Sequence, residues 1–320
     1  MIEPSPHRVE PPCPVFGQCG GCKFQHISSS EQLSQKNKYI EKALAGLEKE
    51  ALFPIQASPR PYFYRNRIQV HVHGSEIGFL KPKSNDLVPI EGCQIAERPI
   101  HEFLKGKDGR KKIFDLNAKK VEVSLDLSES VQVRPVSKEP TEGLFSQVNR
   151  FQNENLVSQI LAWSRAAHSE SPYQRVLDLY AGAGNLTFPL YEALKLPTDA
   201  IELSQALVRQ GKGLREPDQK INFVCSDVKA YLKHFSLSPI SQSLLVVSDP
   251  PREGLNDLVI SSLSKIQPKT LIHVGCDLMN FSRDLRKLSA QGFKVREIRS
   301  LDMFPQTDHV EMLALLTGPE

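Results

Sequence analysis

RVLDLYAGAGN, residues 175–185, sets the architecture of this chain. Its first half, RVLDL, is a short apolar run of the kind that forms a buried strand. Its second half carries Gly182 and Gly184, which let the backbone turn tightly and come close to a ligand. DAIELSQALVRQGKGL (199–214) repeats strand then helix, and SLLVVSDPP (243–251) and TLIHVGC (270–276) are further apolar strands. KVREIRSLDMF (294–304) and HVEMLALLT (309–317) close the chain as a hairpin, and NRFQNENLVSQILAWSRAA (149–167) precedes the set as a helix. Strands alternating with helices predict an α/β domain, a mostly parallel sheet with helices on both faces.

The turn at 178–185, DLYAGAGN, lacks the third glycine of a dinucleotide fingerprint, and acidic Asp178 precedes it. A carboxylate there disfavours a pyrophosphate and suits a cationic ligand such as a sulfonium, which favours S-adenosylmethionine over NAD. Glu202 ends the next strand, about 20 residues on, where an acidic side chain accepts hydrogen bonds from both ribose hydroxyls of a nucleoside. Asp227 follows the strand after that. Asp249, in SDPPREGL (248–255), falls at the carboxyl edge of a later strand and points into the site where such sheets bind ligands. Its DPP resembles the DPP-aromatic motif of amino-methyltransferases, in which the aromatic stacks on the target base. Arg252 stands in the aromatic's place, which argues against methylation of an exocyclic amine.

Upstream the pattern changes. SSSEQLSQKNKYIEKALAGL (28–47) has the spacing of an amphipathic helix with Ser28–Ser30 and Glu31 as its start signal. YRNRIQVHVHG (64–74), SEIGFLKP (75–82) and DLVPIEGCQI (86–95) read as strands joined by turns, and VEVSLDLSESVQVRPV (121–136) as an antiparallel pair. The expected division is therefore a smaller β-rich domain over 1–143, with helix 28–47 free to pack on its neighbour, and the α/β domain over 144–320.

The 320 residues suffice for two cores, and 40% hydrophobic with 24% charged residues is ordinary for a soluble globular protein. There is no apolar run long enough to span a bilayer and no hydrophobic signal core, so the expected location is the cytoplasm, with no membrane partner. The net charge is +3, and all of the excess lies in residues 1–143, with 21 Lys and Arg against 18 Asp and Glu. That is compatible with a nucleic-acid surface and does not require one.

Six cysteines in a reducing compartment suggest ligands, nucleophiles or core residues before disulfides. CPVFGQCGGC (13–22) places Cys13, Cys19 and Cys22 within ten residues beside glycines that let backbone amides face the sulfurs, and Cys93 in EGCQI supplies a fourth thiolate. Four thiolates fit zinc or an iron–sulfur cluster. Structural zinc usually takes two close pairs, and a lone distant fourth ligand leans towards 4Fe-4S. Cys225, in NFVCSD (222–227), reads as core. Cys276 ends its strand at the cofactor edge and reads either as core packing or as a nucleophile activated by the following helix.

GQCGGCKFQH (17–26), GFLKPKSNDLVPIEGC (78–93), FSQVN (145–149), DLYAGAGN, SDPPREGL, the GCD segment (275–277) and DMFPQTDHVE (302–311) come in the order found in the RNA uracil-C5 methyltransferases. The chain resembles the iron–sulfur branch that makes 5-methyluridine in 23S ribosomal RNA, and the motifs span Cys13 to Glu311. The resemblance implies a Rossmann-like class I S-adenosylmethionine-dependent methyltransferase domain beside a β-rich iron–sulfur and RNA-binding domain. It implies Cys276 as the nucleophile that adds to uracil carbon 6, and Glu311, beside His309, as the base that takes the proton from carbon 5. It implies Gln147, Tyr180, Gly182, Asn185, Glu202, Asp227 and Asp249 around the cofactor, with Gln147 orienting cofactor or base and Asp249 helping to hold uracil. Cys13, Cys19, Cys22 and Cys93 would hold the 4Fe-4S cluster, whose simplest role is to shape the RNA-binding domain. The partner is RNA, ribosomal first and transfer RNA second. The target uridine leaves the stack to reach Cys276.

The chain departs from the family pattern at Gly275 and at Asp277-Leu278, where Ser and Asn-Pro are usual. A carboxylate at 277 raises the pKa of the neighbouring thiol unless it points away. Many relatives also carry an RNA-binding β-barrel of the TRAM type ahead of the cysteines, for which this sequence leaves no room. RNA grip is then expected from the β-rich domain, through RPYFYRNR (60–67) and KGKDGRKK (105–112). The rival functions are a transfer-RNA uracil methyltransferase, a zinc-containing RNA-binding protein with an inactive methyltransferase fold, and a small-molecule methyltransferase.

Overall fold

The computed structural model describes residues 3–126, 128–136, 147–235 and 243–319. The expected boundary at 143/144 lies outside the described residues.

The carboxyl-terminal part is built on an eight-stranded sheet. Its strands are β1 (Ala51–Leu52), β7 (Arg175–Leu179), β8 (Thr198–Glu202), β9 (Ile221–Cys225), β10 (Leu244–Ser248), β11 (Thr270–Gly275), β12 (Lys294–Leu301) and β13 (Glu311–Thr317). Their spatial order is β1-β12-β13-β11-β10-β7-β8-β9. All pairings are parallel except those of β13 with β11 and β12. The continuous apolar runs have their cause here: every residue of β10 and β11 is buried, because helices cover both faces. One face packs under α1 (Ser29–Ala43), α7 (Val228–Phe235), α8 (Asp257–Ile266) and α9 (Leu278–Ala290), and the other under α4 (Arg150–Glu170) and α5 (Thr187–Leu194). α6 (Gln205–Leu214) packs through Val208 on Phe223 beside the glycine-rich loop.

The second sheet is an antiparallel meander of β2 (Arg67–His73), β3 (Glu76–Leu80), β4 (Leu87–Pro89), β5 (Lys120–Leu125) and β6 (Val131–Pro135), in the order β4-β3-β2-β5-β6. Two helices not expected from the sequence, α2 (Arg98–Lys105) and α3 (Lys107–Asp115), cover one face and bury Ile100, Leu104 and Ile113 on Val70, Val121 and Val123. KGKDGRKK forms their junction, so Arg110 is spent internally, donating to the carbonyls of Ile90 (2.9 Å) and Leu104 (3.4 Å). DLVPIEGCQI is a strand only to Pro89. The chain then turns at Gly92, where a Cβ would fall 2.8 Å from the His101 ring, and presents Cys93 from a loop.

Helix α1 is shorter than the expected 28–47 and starts at the Ser28 cap, whose Oγ accepts from the Glu31 N–H at 3.4 Å. It packs on α9, where Ser282 Oγ donates to the Ala43 carbonyl at 2.7 Å. Strand β1 adds to the edge of β12. Residues 28–52 therefore pack on the large sheet rather than on the meander.

Candidate active site

The carboxyl edges of β7, β8, β10 and β11 open into a cleft of about 790 Å³. All nine residues expected to be catalytic or cofactor-binding line it: Gln147, Tyr180, Gly182, Asn185, Glu202, Asp227, Asp249, Cys276 and Glu311.

The glycine-rich loop is held at several points. Tyr180 adopts φ +64°, uncommon for a bulky side chain, and Gly182 and Gly184 follow at +58° and +104°. Glu202 pins the loop, since its Oε2 accepts from the Gly182 N–H at 3.0 Å and its Oε1 from the Ser204 N–H at 2.7 Å. Asn185 exchanges two hydrogen bonds with Asn153 of α4, at 2.9 and 3.0 Å. Asp178 lies beneath, fully buried; Thr187 donates to its Oδ2 at 2.5 Å and its Oδ1 has no partner. Burial, with Asp249 and Glu202 nearby, pushes its carboxyl up to about 7. A positively charged ligand group would relieve that shift, in keeping with the preference for a sulfonium cofactor.

The reacting end is formed where two strands meet. Gly275 of β11 pairs with Met312 of β13, so Cys276 and Glu311 lie opposite one another one step further along. Glu311 is 3% exposed, and burial and the neighbouring Asp249 hold its carboxyl well above the ordinary range, with Arg252 opposing. Burial pushes Asp249 up to about 6. The Cys276 thiol is pushed up to about 11 by burial and by Glu311 and Asp249, while Arg252 draws it down. Asp277 is not among the groups acting on it. Its carboxylate caps α9, accepting from the Asn280 N–H at 2.9 Å, and so points away from the thiol. Cys225 is exposed at the end of β9, with Sγ 3.5 Å from the Leu203 carbonyl, which corrects its assignment to the core.

A second cavity, of about 340 Å³, is lined by Cys13, Cys19, Cys22 and Cys93. The Gly21 N–H points at Cys19 Sγ (3.4 Å), and the Ile95 and Ala96 amides bond Cys93. Burial raises the Cys22 and Cys93 thiols, to about 12 and about 11, with the charges of the other cysteines adding to each. Among the described residues no group of three or more His, Cys, Asp or Glu is close enough to hold a single metal ion. The cysteine loop docks on the meander through the Gly20 N–H to the Leu80 carbonyl (3.1 Å), and on the large domain through Lys23 and Phe24 N–H to the Gln306 carbonyl (2.8 and 3.1 Å).

Among the further residues that line the cleft are Arg65, Arg67, Arg252 and Phe304. The two N-terminal arginines come from RPYFYRNR, read as an RNA-contact stretch. Its aromatics behave otherwise: Tyr64 is buried and donates to the Pro305 carbonyl at 3.0 Å, and Phe63 meets His101 edge-on at 5.4 Å. Arg252 had its signal in the broken DPP-aromatic motif. Among the described residues, no helix is long and apolar enough to cross a membrane.

No protein-family model matches the chain. It is 36% identical to an uncharacterised RNA methyltransferase of Bdellovibrio bacteriovorus, over 99% of its own length and 81% of that protein. It is 27% identical to the 23S rRNA (uracil(1939)-C(5))-methyltransferase RlmD of Shewanella sediminis, covering 96% and 82%. It is 29% identical to the tRNA (uracil(54)-C(5))-methyltransferase of Pyrococcus horikoshii, covering 99% and 88%. Among solved structures it superposes on the Pyrococcus abyssi tRNA (uracil-54, C5)-methyltransferase bound to S-adenosyl-L-homocysteine. That match has a TM-score of 0.76 at 20% identity over 99% of this chain and 88% of the other. The fold is thus the expected one, a class I methyltransferase sheet with a separate antiparallel sheet.

Proposed function

Because the chain belongs to the RNA methyltransferase family, we propose that it transfers a methyl group from S-adenosylmethionine to carbon 5 of a uridine in RNA, through a covalent bond between Cys276 and carbon 6. The observation that carries this is the meeting of Cys276 and Glu311 across neighbouring strands, in the same cleft as the glycine-rich loop. A thiol and a carboxylate of raised pKa facing one cleft are what carbon-5 chemistry needs.

S-adenosylmethionine, when bound, supplies an electrophilic methyl group. The chain's own residues do the rest. Cys276 adds as thiolate to carbon 6, which turns the ring into an enolate with a nucleophilic carbon 5. Once carbon 5 carries the methyl group, Glu311 as carboxylate takes the proton from carbon 5. The carbon 6–sulfur bond then breaks, its electron pair returns to Cys276, and the 5,6 double bond is restored. A base held well above the ordinary carboxylate range is a stronger proton acceptor when ionised. Asp249 holds uracil, and Gln147, Tyr180, Gly182, Asn185, Glu202 and Asp227 surround the cofactor. Ribosomal RNA is the first substrate to test and transfer RNA the second, since relatives of both activities are similar at 27% and 29% identity.

The four-cysteine cavity is assigned to a 4Fe-4S cluster. In support, the donors are four thiols, backbone N–H groups face two of them, and the space exceeds that of one ion. Bound there, the cluster would compensate thiolates that burial alone disfavours and would tie the cysteine loop to both domains. Brown protein with broad visible absorption supports it, and colourless protein with bound zinc overturns it. A cytoplasmic location goes with this reading.

The test of function mixes the protein with S-adenosylmethionine and RNA containing 5-fluorouridine. Fluorine cannot leave as a proton, so a covalent complex accumulates in the wild type. Cys276→Ala abolishes it, and Glu311→Gln traps the adduct on ordinary RNA. Methyl transfer by the Cys276→Ala protein at the native rate would refute the mechanism.

A further inference from the structure

We infer that Arg65 and Arg67 form a binding site for a phosphodiester of the RNA chain, at the seam between the cysteine cavity and the methyl-transfer cleft. Both side chains line both cavities, and among the described residues no other Lys or Arg lines both. Arg67 opens β2, and Arg65 lies two residues before it in bridges to Ala96 and Asn149. Their backbone is fixed from two directions. The Arg65 N–H donates to the Ile95 carbonyl at 2.8 Å, two residues past Cys93, and the Asn66 N–H donates to the Val148 carbonyl at 2.9 Å, beside Gln147.

The electrostatics at the seam call for an anion. Arg65 Nε is buried without a hydrogen-bond partner. Burial pushes the Arg67 guanidinium below its ordinary value; Glu122 opposes this, and the charges of Arg134 and Arg65 add to it. Glu122 is itself engaged by Arg134 Nε at 3.0 Å and by Gln69 at 3.2 Å. Glu122 thus faces both Arg134 and Arg67, and Arg65 adds a third positive charge beside them. Five carboxyl groups, Asp178, Glu202, Asp227, Asp249 and Glu311, line the cleft they face, with Arg252 as its other cationic residue. An RNA strand that delivers a base to Cys276 must bring its own negative charge past that wall. A fork of two arginines at the entrance offsets the repulsion and fixes the strand's register without reading sequence.

This site rests on the function proposed above and is separable from it by experiment. Binding of a fluorescent single-stranded RNA to the cluster-loaded full chain is measured across salt concentrations for the wild type, Arg65→Gln and Arg67→Gln, alongside fluorouridine trapping by the wild type. Each substitution is expected to weaken RNA binding about five- to tenfold and to flatten the slope of log affinity against log salt by about 0.7, one single-strand phosphate contact. S-adenosylhomocysteine affinity and the visible spectrum are expected to stay unchanged. As a second measurement on unaltered sequence, RNA should protect Arg65 and Arg67 from phenylglyoxal while S-adenosylhomocysteine alone does not. Trapping by the wild type with an unchanged salt slope and no protection by RNA overturns the phosphate site and leaves the function standing. A flattened slope without trapping keeps the site and refutes the function. Altered absorption or cofactor affinity with unchanged RNA binding assigns the arginines to the cysteine cavity or the cofactor, and the proposal falls.

Discussion

Cys276, the proposed nucleophile, sits in an unfavourable electrostatic position. Burial and two carboxylates push its thiol up to about 11, against the attraction of Arg252. The thiolate fraction therefore rises about tenfold per pH unit through neutrality, and the rate of fluorouridine trapping should follow it from about pH 7 to about pH 9. Arg252→Ala removes the one charge that lowers the thiol, so its pKa rises and trapping at neutral pH should slow roughly three- to tenfold. A pH profile of trapping checks both; a flat profile would mean the proton leaves the thiol by another route. Asp277, the residue that departs from the family pattern beside the nucleophile, is engaged at the helix end instead. Asp277→Ala should cost about 1 kcal/mol of stability through the lost cap while leaving the trapping profile in place.

At the scale of elements, α9 and the loop after β10 act together. Asn280 Nδ2 donates to the Arg252 carbonyl at 2.8 Å, and Asp284 Oδ2 accepts from the Leu255 N–H at 2.7 Å. The helix that follows Cys276 thus holds the loop carrying Arg252. The same helix accounts for Gly275. A Cβ there would fall 2.9 Å from the Phe281 ring, which is buried and stacked on His273 at 5.3 Å. Gly275→Ser, the family's usual residue, should therefore destabilise this protein by about 1–3 kcal/mol through overpacking. Phe281→Leu in the same chain should recover part of that in denaturant melts. If Gly275→Ser alone is neutral, packing against Phe281 is not what keeps glycine here.

Across the whole molecule, the segment 302–310 is where the parts meet. Lys36 of α1 is 2% exposed and reaches Asp302 Oδ1 at 2.6 Å and the Phe304 carbonyl at 3.2 Å. Gln32 donates to Gln306 Oε1 at 2.9 Å, and Asn149 to the Met303 carbonyl at 3.0 Å. Helix α1, the cysteine loop, the segment leading into β2 and the start of α4 all bond to these few residues. Lys36→Met strands a buried carboxylate and should cost about 3–5 kcal/mol; adding Asp302→Asn should return part of it, as equilibrium unfolding would reveal. Removal of the cluster proposed for the four-cysteine cavity should loosen the cysteine loop, lowering both the melting temperature and RNA affinity. If neither changes, the cluster does not shape the RNA-binding side.

Much of this was legible in the chain. The alternation of buried strands and amphipathic helices depends on local periodicity, so RVLDLYAGAGN and its successors gave the parallel sheet. The acidic strand ends and the cysteine spacing gave the residues that gather in each cavity, because strand ends on one edge of a parallel sheet are brought together by topology alone. Other features had no local signal. α2 and α3 are short and basic, and their helicity follows from the apolar face they bury on the meander. Cys225 sits in an apolar strand, yet it lies at the sheet's outer edge, and edge position depends on strand order. The direction of Asp277, the closeness of Glu311 to Cys276 and the place of Arg65 and Arg67 at a seam depend on contacts between residues far apart in sequence. Covalent order and hydrophobic period are properties of the chain, whereas distance and charge environment arise only when its two sheets are packed together.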